Sequence, residues 1–182
     1  MIGKRSELIV GRSSTGLTPL DAFNTAAPEA AASQLLSACG SHRWAKTLAA
    51  NRPYDTPKSL IQDAETLWFS LDEEDWLEAF ACHPRIGEKK APATSYLAHS
   101  ESEQSAAQQT LDAVADALLE GNRGYEEKFG FRYIVFASGR TAPELLTVLQ
   151  SRLNNSREEE LHEAARQQLS IANLRLRKWL NV

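Results

Sequence analysis

Helix-start signals recur along this chain, and they restrict its fold more than any other feature. Thr18-Pro19 and Thr56-Pro57 each set a capping hydroxyl before a proline at the first helical position, where the missing N–H costs nothing. Ser100 with Glu103, Thr141 with Glu144 and Ser156 with Glu159 have the capping-box spacing. After Pro57, apolar residues fall at Leu60, Ile61, Ala64, Leu67, Trp68 and Leu71, a stripe of helical period that predicts one buried face. Asp72 opens a helix carrying Trp76, Leu77, Phe80 and Ala81, which Pro84 ends. Pro28 to Cys39 reads as a helix closed by Gly40, and Ser41 opens another to about Ala50.

The stretch from Arg85 to Ala98 contains Gly87 and Pro92 without a helical stripe, which predicts a long loop. The helix behind Ser100 carries Ala106, Ala107, Leu111, Val114 and Leu118 and is expected to stop at Gly121. Gly121 to Gly124 then reads as a turn, with a short helix from Tyr125 to Phe129. The last helix sets Leu161, Ala165, Leu169, Ala172, Leu176 and Trp179 on one side. Phe131 to Ala137 is the strand-like run, short and without an evident partner, so it predicts an extended segment through the core and no sheet. The expectation is an all-α fold: an irregular single-domain bundle of about seven to nine helices with one short extended segment.

A chain of 182 residues, 42% hydrophobic and 24% charged, is ample for one domain with a real core. Its net charge of -4 offers no basic footprint for nucleic acid. No apolar run is long enough for a signal peptide or a membrane span. Residues 1–17, polar and punctuated by Gly and Ser, read as a disordered extension ahead of a helical domain over 18–182. Cys39 and Cys82 are too few for a disulfide framework and predict free thiols in a reducing cytosol. The histidines are scattered, with no metal-ligand spacing, and no glycine-rich phosphate loop is present.

Three places carry possible chemistry, each with a structural reading beside the functional one. His83-Pro84-Arg85-Ile86-Gly87 ends a helix. The imidazole there either answers the helix dipole or sits at the mouth of a loop-lined pocket, exchanging a proton near neutral pH. Ser100, Glu103 and Gln104 either cap a helix or present a hydroxyl, a carboxylate and an amide beside free N–H groups to a small polar ligand. Arg175 and Arg177 point to different sides of the last helix, so one of them can turn inward to bind a carboxylate or carbonyl, and the other reading is a solvated charge. Cys82-His83 is a poor nucleophile–base pair, since neighbouring helical residues do not face each other, and Cys82 is expected to be a buried structural thiol.

Together these segments resemble the family of 2-oxo-4-hydroxy-4-carboxy-5-ureidoimidazoline (OHCU) decarboxylases. The matching pieces are HPRIGEKK at 83–90, SESEQ at 100–104, NRGYEEKFGF at 122–131 and IANLRLRKWL at 171–180, with Trp44-Ala45, Arg52-Pro53-Tyr54 and the opening from Thr18 to Phe23 upstream. The resemblance implies a cofactor-free, homodimeric all-helical enzyme that produces (S)-allantoin in urate breakdown. Carried over by position, it implies His83 as the catalytic histidine with Pro84 after it. It also implies Glu103 in catalysis with Ser100 and Gln104 binding substrate, and Val135 and Ala137 as backbone contacts. Arg175 becomes the pocket arginine, with Arg177 as the alternative. The ending Leu-Asn-Val is not a peroxisomal signal, so the expected setting is a bacterial cytoplasm.

The substrate explains how decarboxylation can proceed without a cofactor. A ring C=N bond next to the scissile carbon can accept the electron pair that carbon dioxide leaves behind. The rival readings are a non-catalytic helical interaction module on the same fold and a thiol hydrolase using Cys82.

Overall fold

The computed structural model describes residues 16–85 and 101–182, and between 101 and 111 it describes the helical backbone alone. Eight helices occupy the described residues: α1 (Pro19–Thr25), α2 (Pro28–Leu36), α3 (His42–Ala50), α4 (Pro57–Ser70), α5 (Glu73–Ala81), α6 (Glu101–Phe129), α7 (Ala142–Arg152) and α8 (Arg157–Leu180). The expected N-terminal extension, most of the expected 85–98 loop and Ser100 lie outside the described residues.

Four of the start signals act as expected. Thr18 Oγ1 accepts from the Asp21 N–H at 3.1 Å, and Thr56 Oγ1 from the Ser59 N–H at 3.0 Å. At α7 the Thr141 N–H donates to Glu144 at 2.7 Å, and at α8 the Ser156 N–H donates to Glu159 at 2.9 Å. Each of these bonds satisfies a backbone or side-chain group that a helix end would otherwise leave unpaired.

Two glycines behave differently from expectation. Gly121 does not stop a helix, and Gly121 to Gly124 is not a turn: α6 runs through both to Phe129. A Cβ at Gly121 would stand 2.5 Å from Leu149 Cδ2, so the glycine lets α6 lie close against α7. The helix penalty of a glycine is about 1 kcal/mol. Burial of Leu118, Tyr125 and Phe129 on the same helix outweighs it. The stop comes at Gly130, whose φ of 79° takes the left-handed conformation after the last turn. Likewise α2 ends at Leu36, short of Cys39, and the turn after it buries Ala38 and Cys39. A Cβ at Gly40 would be 2.7 Å from the Cβ of Cys82, so Gly40 is where this turn passes the end of α5.

The core runs along α8. The Trp68 indole donates to the Ala165 carbonyl at 2.9 Å, tying α4 to α8, while Trp44 reaches the Ala64 carbonyl at 3.0 Å and ties α3 to α4. Buried indoles need such a partner for the N–H. The 131–137 segment is extended and pairs with no strand among the described residues, as its isolation in the sequence predicts. Side chains take up its backbone groups instead. Arg152 Nη1 donates to the Ile134 carbonyl at 2.7 Å, and the Phe136 N–H donates to Gln167 Oε1 at 2.8 Å. Arg152 is itself held by Glu160, which is fully buried and also receives the Tyr125 hydroxyl and the Asn155 amide. This network had no counterpart in the sequence reading.

Candidate functional site

His83 follows directly on α5, its N–H closing the last turn on the Phe80 carbonyl at 3.1 Å. Two arginines fix the chain here. Arg132, from the extended segment, donates to the His83 carbonyl. Arg85 grips Glu126 of α6 through two parallel bonds of 2.8 Å, the bidentate geometry that only a guanidinium offers. The Arg85 bond holds the carboxyl of Glu126 below its usual range, with the charges of Arg85 and Arg132 adding to it and burial working the other way. The backbone from His83 to Arg85 is thus anchored to two separate elements.

The imidazole is half-buried and is held below its usual pKa of 6.5. Burial is the main cause, the nearby Arg175 adds to it and Arg132 contributes less, while Gln168 works the other way. Both guanidiniums disfavour a further positive charge on the ring, so the neutral ring, able to accept a proton, is favoured more than in a free imidazole.

α8 supplies Gln168 and Arg175, seven residues apart and therefore on one face. Arg175 Nη1 donates to the Ala38 carbonyl at 3.1 Å, which fixes the guanidinium against the turn after α2. Gln168 is fully buried, its Nε2 3.7 Å from Cys39 Sγ. The Cys39 thiol is also buried, and burial pushes it up to about 11, so it stays protonated at neutral pH.

The residues predicted from sequence fall as follows. His83 and Arg175 come together. Arg177 lines a different cleft of about 520 Å³ with Thr56, Ile61, Glu65 and Val182, and that cleft contains no residue of the His83 cluster. Pro84 is exposed at the outer edge beside His83. Val135 is buried and Ala137 exposed, on the segment that also carries Arg132. Glu103 and Gln104 lie in the first turn of α6, their side chains outside the described residues, as Ser100 is altogether. Cys82 is exposed, not buried, at the C-terminal cap of α5, and its Sγ turns to the carbonyls of Glu78 and Gly40 at 3.5 and 3.8 Å. Sequence reasoning missed Arg132, Glu126 and Gln168. Gln168 had a signal, since it precedes Arg175 by two helical turns.

Among the described residues, no three His, Cys, Asp or Glu side chains are grouped to hold a metal ion, and no helix is long and apolar enough to cross a membrane. What the cluster can do is bind an anion or carbonyl at Arg175 and take up a proton at His83.

Comparison with known proteins bears on this arrangement. The model of the family described as OHCU decarboxylase matches residues 24–177. The uric acid degradation bifunctional protein TTL of Arabidopsis thaliana is 41% identical over 144 residues, covering 77% of this chain and 44% of that protein. The bifunctional protein PucL of Bacillus subtilis is 29% identical over 133 residues, covering 72% of this chain and 26% of that one. The chain therefore spans less than half the length of these relatives. A crystal structure of OHCU decarboxylase in the presence of (S)-allantoin superposes with a TM-score of 0.68 at 33% identity, covering 86% of this chain and 100% of that one. With a plant protein among them, the relatives do not support the expected bacterial source.

Proposed function

The chain belongs to the OHCU decarboxylase family, and on that premise we propose that it decarboxylates OHCU to (S)-allantoin without a cofactor, in urate degradation. The observation that carries this reading is the half-buried imidazole of His83, anchored through its backbone and held neutral beside Arg175.

The bond from the ring carbon to the carboxylate breaks, carbon dioxide leaves, and the electron pair moves through the ring to the imine nitrogen, which takes a proton. The hydroxyl on the carbon that lost the carboxylate gives up its proton and becomes a carbonyl. The neighbouring ureido-bearing carbon gains a proton on one face, which sets the S configuration. His83, neutral at rest, accepts the hydroxyl proton. Arg175, already fixed on the Ala38 carbonyl, retains further N–H donors for a ring oxygen or nitrogen and stabilises negative charge as it develops. The remaining assignments follow the family resemblance. Ser100, Glu103 and Gln104 bind the ureido and ring amide groups, and Glu103 takes part in the proton transfers. Pro84, Val135 and Ala137 line the substrate.

Freshly generated OHCU should disappear at a rate proportional to protein concentration, and no acceleration over spontaneous decay would refute the reading. The expected homodimer belongs to the same proposal. A solution mass near twice 20.2 kDa by light scattering is the predicted result, and a monomer at working concentration would contradict it. A cytoplasmic setting is likewise proposed, from the free thiols Cys39 and Cys82.

A further inference from the structure

Gln168 is a fully buried polar side chain beside His83 to which the reaction above assigns no task. Its Nε2 points to Cys39 Sγ at 3.7 Å, and its Oε1 has no completed hydrogen bond. A buried carbonyl oxygen without a partner is costly enough to require an explanation. The Gln168 side chain is close enough to the imidazole to favour a proton on the ring. Cys39 is 1% exposed and Arg175 stands two turns further along the same face of α8, so the amide is walled in and cannot turn to solvent.

We infer that Gln168 is a positioning residue for His83: its Oε1 accepts the ring N–H that faces α8, fixing the tautomer and directing the other ring nitrogen to the substrate. The consequence for turnover rests on the decarboxylase reading, whereas the contact itself does not. An imidazole whose second nitrogen is held by an acceptor keeps one orientation, which is what a base at a fixed reacting atom requires.

The other groups around the ring are consistent with this role. From α8 the Arg175 guanidinium, and from the extended segment that of Arg132, both oppose a positive charge on the ring. From the turn after α2 comes the Cys39 thiol, which burial keeps neutral. From α6 the Glu126 carboxylate is taken up by Arg85, and the side chains of Glu101 and Glu103 lie outside the described residues. Cys82, next in the chain, turns to backbone carbonyls. Gln168 is thus the acceptor on the described side of the ring that favours a ring proton.

The test is the His83 ring titration in the full chain, read by nitrogen-edited NMR and assigned by comparison with His83→Asn. It uses Gln168→Leu, similar in volume without the acceptor, and Gln168→Glu, which replaces the amide by a carboxylate. Far-UV circular dichroism verifies the fold of each. Gln168→Leu should move the midpoint of His83 to lower pH and alter the tautomer signals. Its kcat should fall by up to about 10²-fold, the scale of an ångström-sized misplacement, with KM little changed. Gln168→Glu should move the midpoint to higher pH. Opposite movements in the two variants are not expected of a side chain that merely fills space. Unchanged midpoints and tautomer signals in the folded variants would overturn the inference. Because the titration needs no turnover, a protein whose His83 responds but which does not consume OHCU would refute the reaction and leave the positioning role standing.

Discussion

Arg152→Met tests the buried network behind the extended segment. The Arg152 side chain is 7% exposed and that of Glu160 is 0% exposed. The guanidinium gives Glu160 Oε1 a bond of 2.7 Å from Nε and a second from Nη2, and gives Ile134 a bond of 2.7 Å. Methionine fills similar space and supplies none of them. The Glu160 carboxylate would keep the Tyr125 hydroxyl and the Asn155 amide but lose its counter-charge. Removing one partner of a buried pair costs roughly 3–5 kcal/mol, because the other is stranded. A domain is stable by roughly 5–15 kcal/mol in all. In a chain of this length each kcal/mol moves Tm by roughly 2–4 °C, so the variant should melt roughly 6–20 °C lower. Arg152→Met with Glu160→Gln leaves a neutral acceptor for Tyr125 and no stranded charge, and should recover most of the loss. Urea unfolding followed by far-UV circular dichroism measures both. A loss under about 1 kcal/mol in the single variant, or a double variant as unstable as the sum of the two singles, would refute the reasoning.

His83→Asn should lower kcat by about 10²–10⁴-fold and leave the fold intact, and retained turnover would remove the imidazole from the mechanism. His83 is held below 6.5, so the acid limb of the kcat/KM profile should have its midpoint below that value. As pH falls the unfolded chain binds this proton first. The stability contribution is whole above 6.5 and is lost between 6.5 and the lower folded value, as melting across that window can show. Gly124→Ala, with nothing within 4 Å of the new Cβ, should stabilise α6 by about 1 kcal/mol. At Gly121 the same change must displace the buried Leu149, and unfolding should show a net loss there. Cys82→Ser should retain full decarboxylation, and loss of activity would revive the thiol hydrolase reading.

The helices were legible because their signals are local. Thr18 and Thr56 cap just before their prolines, and Thr141 and Ser156 cap with the glutamate three residues on, as their local sequence says they should. The misplaced ends at Gly40 and Gly121 have a common cause. A glycine that stops a helix and one that admits a neighbouring side chain read alike in sequence, and Cys82 or Leu149 decides which it is. Cys82 followed two apolar residues and was expected inside, but the helix ends there and leaves it exposed. Of the site, His83 was visible as a helix-ending histidine in a recognisable motif, and the choice of Arg175 over Arg177 is now supported by its place beside His83. Arg132, Glu126 and the Arg152–Glu160 pair were not visible, because each acts on a residue remote in the chain and exposed surfaces use the same residue types.

The most direct test of the account is circular dichroism of a uricase and 5-hydroxyisourate hydrolase reaction run with wild-type protein, with His83→Asn and without either. The account predicts that the (S)-allantoin signal appears rapidly with wild type alone, while the other two reactions decay slowly to an optically silent product. A signal unchanged by adding wild-type protein would contradict it, and one produced equally by His83→Asn would refute the role given to the imidazole.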